Sequence, residues 1–235
     1  MKRLITLALI IIVSFPVLSQ VGSRTVGADI YARTIDLNQK SLAFGLTEAQ
    51  FAAIKDEAYA NPNFVQGKIF QEDQLIKDDV PMRYNAYADE IEIKKNASDE
   101  SYSALIKDPN IFVKIFKDIY VFVPYEGSNE KGGYFNVLSD GKTYDLYKKV
   151  TATYKEPQKA QTSYERDSPP SFTKTTKYYL VQNGTFLEMP SSKSKLLKMM
   201  DKKKDEIKNY IKKNNIDTDK EADMIKLVSY FDSLL

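Results

Sequence analysis

Residues 111–124, IFVKIFKDIYVFVP, are two apolar runs separated by Lys117-Asp118, the spacing of a two-residue β-hairpin. Residues 177–189, KYYLVQNGTFLEM, repeat the arrangement around Asn183-Gly184, the strongest short hairpin signal. Strands joined by turns this tight must run antiparallel. These stretches therefore predict a mainly β fold with some α structure, built on an antiparallel β-meander.

The surrounding sequence extends the pattern over residues 63–190. FVQGKIF lies between Pro62-Asn63 and a turn at Glu72-Asp73, and VPMRYNAY and DEIEIKK follow it. In GGYFNVLSDGKTYDLYKKVTATY, Asp140-Gly141 precedes an alternating strand with Tyr144, Leu146, Lys148, Val150 and Ala152 on one side. About eight to ten strands are expected from ordinary strand lengths, in a sheet curved strongly enough to approach a partial barrel. Residues 155–176, KEPQKAQTSYERDSPPSFTKTT, are polar, carry three prolines and have no period. They are expected to form a long loop, disordered or functional.

Helical signals flank the β region. In residues 20–62, an edge strand is expected around Ala28 to Ile35. Thr47 with Gln50 has the form of a capping box, ahead of a short helix over about 48–58 that places Phe51, Ile54 and Ala58 on one face. In residues 191–235, Leu196, Leu197, Met200, Ile207, Tyr210 and Ile211 recur at helical spacing behind a serine cap. Met224, Leu227, Val228 and Phe231 do so again after Asn214-Asn215-Ile216, so an αα-hairpin packed against the sheet is expected.

The chain opens MKRLITLALIIIVSFPVLS. A basic head, a short apolar run and small residues near Ser19 are the marks of a secretory signal peptide, with the mature chain starting near Gln20. Export to the periplasm, cell envelope or medium is the expectation, with no transmembrane segment after signal removal. The formal net charge of +2 includes Lys2 and Arg3, so the processed chain is neutral and net charge supplies no attraction for nucleic acid. The nine lysines between Lys193 and Lys213 read as a solvated helix face.

The sequence contains no cysteine and no histidine. That removes disulfides, thiolate nucleophiles, serine–histidine triads and the usual zinc ligands. No phosphate loop, nucleotide fingerprint or calcium loop is present, so no cofactor and no metal site is expected. Sixteen tyrosines and twelve phenylalanines without a tryptophan suit strand positions with one wet end, and a tyrosine-rich sheet face can also serve as a binding surface.

Polar density peaks in residues 81–95, PMRYNAYADEIEIKK. Arg83, Tyr84, Asn85, Tyr87, Asp89, Glu90 and Glu92 are the candidate binding residues. The stretch reads as two strands with a turn near Asn85 to Ala88. Alternation places Ile91 and Ile93 inward and Glu90, Glu92 and Lys94 on a side expected to meet water. Arg83 is expected to pair with Asp89, Glu90 or Glu92 and lock the hairpin.

Together with NPNFVQGKIF, GGYFNVL, KYYLV and the closing KKKDEIKNYIKKNNI and KEADMIKLVSYFDSL, this stretch resembles an uncharacterised family of exported proteins from Bacteroidetes-type bacteria, over roughly residues 60–235. The resembling pattern is RYN-x-Y-x-DE-x-E. The resemblance implies an envelope-associated location and a shared architecture, and no activity. The expected function is a non-enzymatic envelope protein that binds a protein, glycan or surface component. Alternatives are a periplasmic carrier of an apolar ligand and a carboxylate-dependent hydrolase using Asp89 or Glu92 with Arg83.

Overall fold

The computed structural model describes residues 30–35, 44–162 and 164–235, with 32–35 and 128–131 described by backbone alone. Residues 1–19, expected to be a signal peptide, lie outside the described residues. Eleven strands form one antiparallel sheet: β1 (Tyr31–Ile35), β2 (Val65–Gln71), β3 (Gln74–Asn85), β4 (Glu90–Ile93), β5 (Tyr102–Leu105), β6 (Ile111–Ile115), β7 (Asp118–Tyr125), β8 (Ser128–Ser139), β9 (Asp145–Lys155), β10 (Ser171–Gln182) and β11 (Thr185–Glu188). Their order is β1-β5-β4-β3-β2-β6-β7-β8-β9-β10-β11. From β2 the chain steps outward to β5, crosses back to the other side of β2, and steps outward again to β11. The sheet is thus two meanders diverging from one strand, open at β1 and β11. Strand β5, in SYSALIK, is not among the strands expected from the sequence.

Local chemistry sets the turns. At Asn183-Gly184 both residues have positive φ, 49° and 75°, as the type I′ hairpin requires, and the register Gln182↔Thr185 closes around them. The β6–β7 turn lies one residue earlier than the sequence suggests. Ile115 pairs with Asp118, so Phe116 and Lys117 form the loop, and Phe116 takes φ 54° with its ring 77% exposed. This register keeps Ile111, Val113 and Ile115 on the buried side, which outweighs exposing one aromatic ring.

The sheet curls. Buried side chains from β2 to β9, among them Ile69, Met82, Tyr84, Val113, Tyr120, Phe122 and Tyr134, fill its concave side as one cluster. A second cluster lies where Tyr144, Leu146 and Leu180 meet the C-terminal helices through Leu196, Met200, Ile207, Leu227 and Phe231. Strand β9 serves both clusters, with Leu146 and, just before the strand, Tyr144 at one end of its buried side and Val150 and Ala152 at the other.

The first helix, α1 (Glu48–Ile54), carries the expected capping box: Gln50 N donates to Thr47 Oγ1 at 3.3 Å and Thr47 N to Gln50 Oε1 at 3.0 Å. It continues as a 3-10 turn over Lys55–Ala58. The C-terminal region departs from a two-helix hairpin, because the first expected helix breaks into α2 (Lys193–Met199), a 3-10 turn Asp201–Lys203, and α3 (Lys204–Lys213). Lysines at 202–204 leave no apolar residue for the core-facing turn between Met200 and Ile207. The kink lets both of those residues reach full burial. Ser192 makes no side-chain capping bond, and packing around the buried Leu196 holds this short helix instead.

Helix α4 (Glu221–Ser233) docks on the sheet through Asp232. Its carboxylate accepts N–H bonds from Lys142, Thr143 and Tyr144 at 2.8, 2.8 and 2.9 Å. Phe231 packs on Tyr144, ring centroids 5.2 Å apart.

The expected loop at 155–176 shrinks to 156–170. Ser171 to Thr176 continue pairing with Lys155 to Val150, since a threonine-rich run suits a strand. A further bridge joins Gln158 and Ser168 through N–H···O bonds of 2.9 and 2.8 Å.

Candidate functional site

The structure divides six of the seven candidate residues among three places. Arg83, Asn85 and Glu92 meet on the outer side of β3–β4, where Arg83 lies opposite Glu92 in the register. Arg83 Nε and Nη2 both reach Glu92 Oε2 at 2.8 Å. Its Nη1 donates to Pro62 O at 2.7 Å and its Nη2 to Tyr59 Oη at 2.9 Å. Asn85 Nδ2 donates to Glu92 Oε1 at 2.8 Å, and Tyr59 Oη reaches the same oxygen at 3.4 Å. The guanidinium lies 3.9 Å from the Tyr59 ring centroid, 4.2 Å from Phe64 and 5.1 Å from Tyr102, distances at which ring faces attract a cation.

Glu92 is 0% exposed, which corrects the expectation that this side of β4 meets water. Period-2 alternation identifies the two sides of a strand but cannot show that a segment from elsewhere covers both. Here the stretch from Tyr59 to Phe64 folds over β3–β4, anchored by Ala60 N to Tyr84 O at 3.2 Å and Ala86 N to Ala58 O at 2.9 Å.

Tyr84 and Asp89 belong to a second cluster. Strand β9 separates from β8 beyond the pair Asn136↔Lys148, and the β3–β4 turn fills the fork. Asp89 Oδ1 accepts from Tyr84 Oη at 2.7 Å and from the β8 amide of Tyr134 at 3.1 Å. Its Oδ2 accepts from Lys149 Nζ at 2.6 Å, and Lys149 also donates to Tyr134 O at 2.8 Å. On the β9 side, Ala152 N donates to Ala86 O at 3.0 Å and Tyr84 Oη reaches Val150 O at 3.1 Å. Strands β3 and β9 are five places apart in the sheet, so these bonds hold its curl.

Asp89 has φ 53°, a conformation that short polar side chains tolerate, and Asn85 Oδ1 braces the turn by accepting from Tyr87 N and Ala88 N at 3.1 and 3.0 Å. Burial pushes the Tyr59, Tyr84 and Tyr134 phenols well above the usual range, with the Glu92 charge adding to it for Tyr59 and the Asp89 charge for the other two. Burial also pulls the Lys149 ammonium down, while Asp89 counters it.

Tyr87 goes to a third place, an aromatic group in which its ring lies 5.3 Å from Phe44 and 5.1 Å from Phe172. Glu90 is half-buried opposite Asn85.

The motif therefore does not bring Asp89 and Glu92 together. Asp89 and Glu92 lie in separate clusters, each already bound by a cation and by hydrogen bonds. Among the described residues, no group of three acidic side chains could hold a metal. The residues that complete the clusters, Tyr59, Phe64, Tyr102, Tyr134 and Lys149, carry no mark in the sequence beyond its aromatic richness.

A different surface remains available for binding. On the side of β8–β11 opposite the helices, Phe135, Tyr147, Tyr179 and Phe186 are half-buried rings at mutual distances of 4.9 to 6.3 Å. Tyr147 and Tyr179 are cross-strand partners, and Lys149 lies 5.0 Å over the Phe135 ring. No helix of the described residues is long and apolar enough to cross a membrane. Comparisons with protein-family models, curated proteins and solved structures each return no match.

Proposed function

We propose that this chain is an exported, non-enzymatic protein of the cell envelope that binds another protein through the outer aromatic face of β8–β11. The observation that carries the reading is the cluster of Phe135, Tyr147, Tyr179 and Phe186 on the side of the sheet away from the helices. Large, stiff rings with a polar rim are the side chains enriched where proteins anchor one another. The rim here is supplied by Lys149, Lys177 and Glu188, the last two paired at 2.8 Å. The hydrolase reading has no converging carboxylates in its favour, and the carrier reading meets a concave side occupied by Tyr84, Tyr120, Phe122 and Tyr134.

The test uses the immobilised mature protein and a Tyr147→Ser/Tyr179→Ser variant of equal melting temperature, each challenged with detergent-solubilised envelope. A specific protein retained by the former and lost by the latter supports the reading. Identical retained sets overturn it. Export is checked by mass spectrometry of the secreted or periplasmic form, whose N-terminus should lie near Gln20.

A further inference from the structure

The C-terminal helices carry a charge imbalance that the fold does not neutralise. From Lys193 to Lys213, nine lysines stand against three carboxylates, a net of +6, whereas the other 214 residues carry 25 basic and 29 acidic groups, a net of −4. Folding turns the apolar side of this segment inward, burying Leu196, Met200, Ile207 and Ile211. Eight of the nine lysines are left exposed, with Lys203 half-buried. Among the described residues the segment's one ion pair is Lys203 with Glu206, at a loose 3.9 Å.

Along α3, Lys204, Lys208 and Lys212 follow one another at four-residue spacing, about 6 Å of helix rise each. At the Lys212 end of this row a groove of about 820 Å³ runs between α3 and α4, lined by Glu206, Asn209, Tyr210, Lys212, Lys213 and Tyr230 among others. Tyr210 and Tyr230 stack in parallel at 3.9 Å in it.

We propose that this face docks a linear anionic polysaccharide, with carboxylates of successive sugars along the lysine row and one sugar unit in the groove. Charge complementarity supplies the attraction, and the groove supplies hydroxyl and amide groups suited to sugar hydroxyls. A bilayer fits less well, because surface-bound helices insert apolar side chains and none of the large exposed hydrophobic residues lies between 193 and 213. A nucleic acid fits less well too. The segment has no arginine, and Tyr210 and Tyr230 occupy a face of each other's ring, where a base would stack. This surface is on the helical side of the sheet and does not depend on the aromatic face.

The experiment titrates the mature protein with polygalacturonate by calorimetry, against a single-stranded DNA oligonucleotide of matched charge and phosphatidylglycerol vesicles. Binding to polygalacturonate should weaken about tenfold or more between roughly 50 and 200 mM salt, as expected for several lysine contacts. Lys204→Glu/Lys208→Glu/Lys212→Glu should abolish it without lowering the melting temperature, since all three side chains are exposed. Tyr147→Ser/Tyr179→Ser should bind polygalacturonate as the parent does, so this proposal and the aromatic-face reading fail separately. No binding at low salt, unchanged binding by the triple variant, or equal or tighter binding of the oligonucleotide or vesicles overturns the proposal.

Discussion

Glu92 and Asp89 are three residues apart, and each accepts hydrogen bonds from a cation and from tyrosine. Arg83–Glu92 is a local pair, facing across one hairpin under a cover of Tyr59, Phe64 and Tyr102, with side chains 12% and 0% exposed. Lys149–Asp89 joins residues 60 apart, at the fork between β8 and β9, with side chains 13% and 26% exposed. The first pair seals a hairpin, whereas the second fastens the curl of the whole sheet. One motif thus serves two levels of organisation, and degree of burial sets how costly each loss should be.

The sharpest break is Glu92→Ala. It leaves the Arg83 cation and Asn85 Nδ2 buried without their acceptor, and removing one partner of a buried pair costs about 3–5 kcal/mol. Urea denaturation should show a loss of this size. A loss under about 1 kcal/mol would mean that water reaches Arg83 and the cover opens.

Alkaline titration probes both clusters. Tyr59 belongs to the first, and Tyr84 and Tyr134 to the second, all with folded-state pKa values raised by burial. Above about pH 10 the unfolded chain loses these protons and the folded chain keeps them, so stability falls as pH rises, by about 1.4 kcal/mol per unit for each phenol. Lys149 opposes this. Its lowered pKa means that the folded state gives up a proton first, which adds stability as pH rises toward the ordinary lysine value. Urea midpoints should therefore fall steeply once the pH passes about 10, and Tyr59→Phe and Tyr84→Phe should each remove one phenol's share of the slope. A flat profile would remove the case for buried neutral phenols.

Asp89→Asn keeps the side-chain shape and tolerates the positive φ while removing the charge that meets Lys149. Its expected cost is about 1–3 kcal/mol, below that of Glu92→Ala. Gly133→Ala attacks the same pair sterically, because a Cβ there would come within 2.5 Å of Asp89 Oδ2 and 2.6 Å of Lys149 Nζ. It should cost about 1–3 kcal/mol as an overpacked site and less in the Asp89→Asn background. Fully additive costs in the double variant would show that Gly133 is not there to admit the ion pair.

The same contrast explains what could be read in the sequence. The Asn183-Gly184 turn, the Thr47 capping box, the hairpin-linked strands and the amphipathic C-terminal helices are set by residues near one another, so local rules reach them. The pairing of Arg83 is also local, at a separation of nine residues. The burial of Glu92 depends on a segment beginning 33 residues earlier, and the role of Asp89 depends on Tyr134 and Lys149. Glu92 does not break the alternating pattern of its strand, and Asp89 lies in the turn just before it. The break at Met200 was likewise hidden, since a run of lysines reads equally as helix surface or as the end of one helix and the start of another.

The mildest test isolates environment from distance. Lys68 and Asp78 approach to 2.6 Å across the β2–β3 hairpin, the same separation as Lys149 and Asp89, but their side chains are 46% and 52% exposed. The Lys68 hydrogen bond, with the Asp79 amide behind it, holds the Asp78 carboxyl below its ordinary value, yet water competes for both groups and salt screens them. Lys68→Met should therefore leave the urea midpoint unchanged within error, at low and at high salt, whereas Lys149→Met should lower it because Asp89 then keeps a half-buried charge without its ammonium. If the two substitutions proved equally costly, the N–O distance would govern both pairs, and the fork between β8 and β9 would be no better shielded from water than an open hairpin.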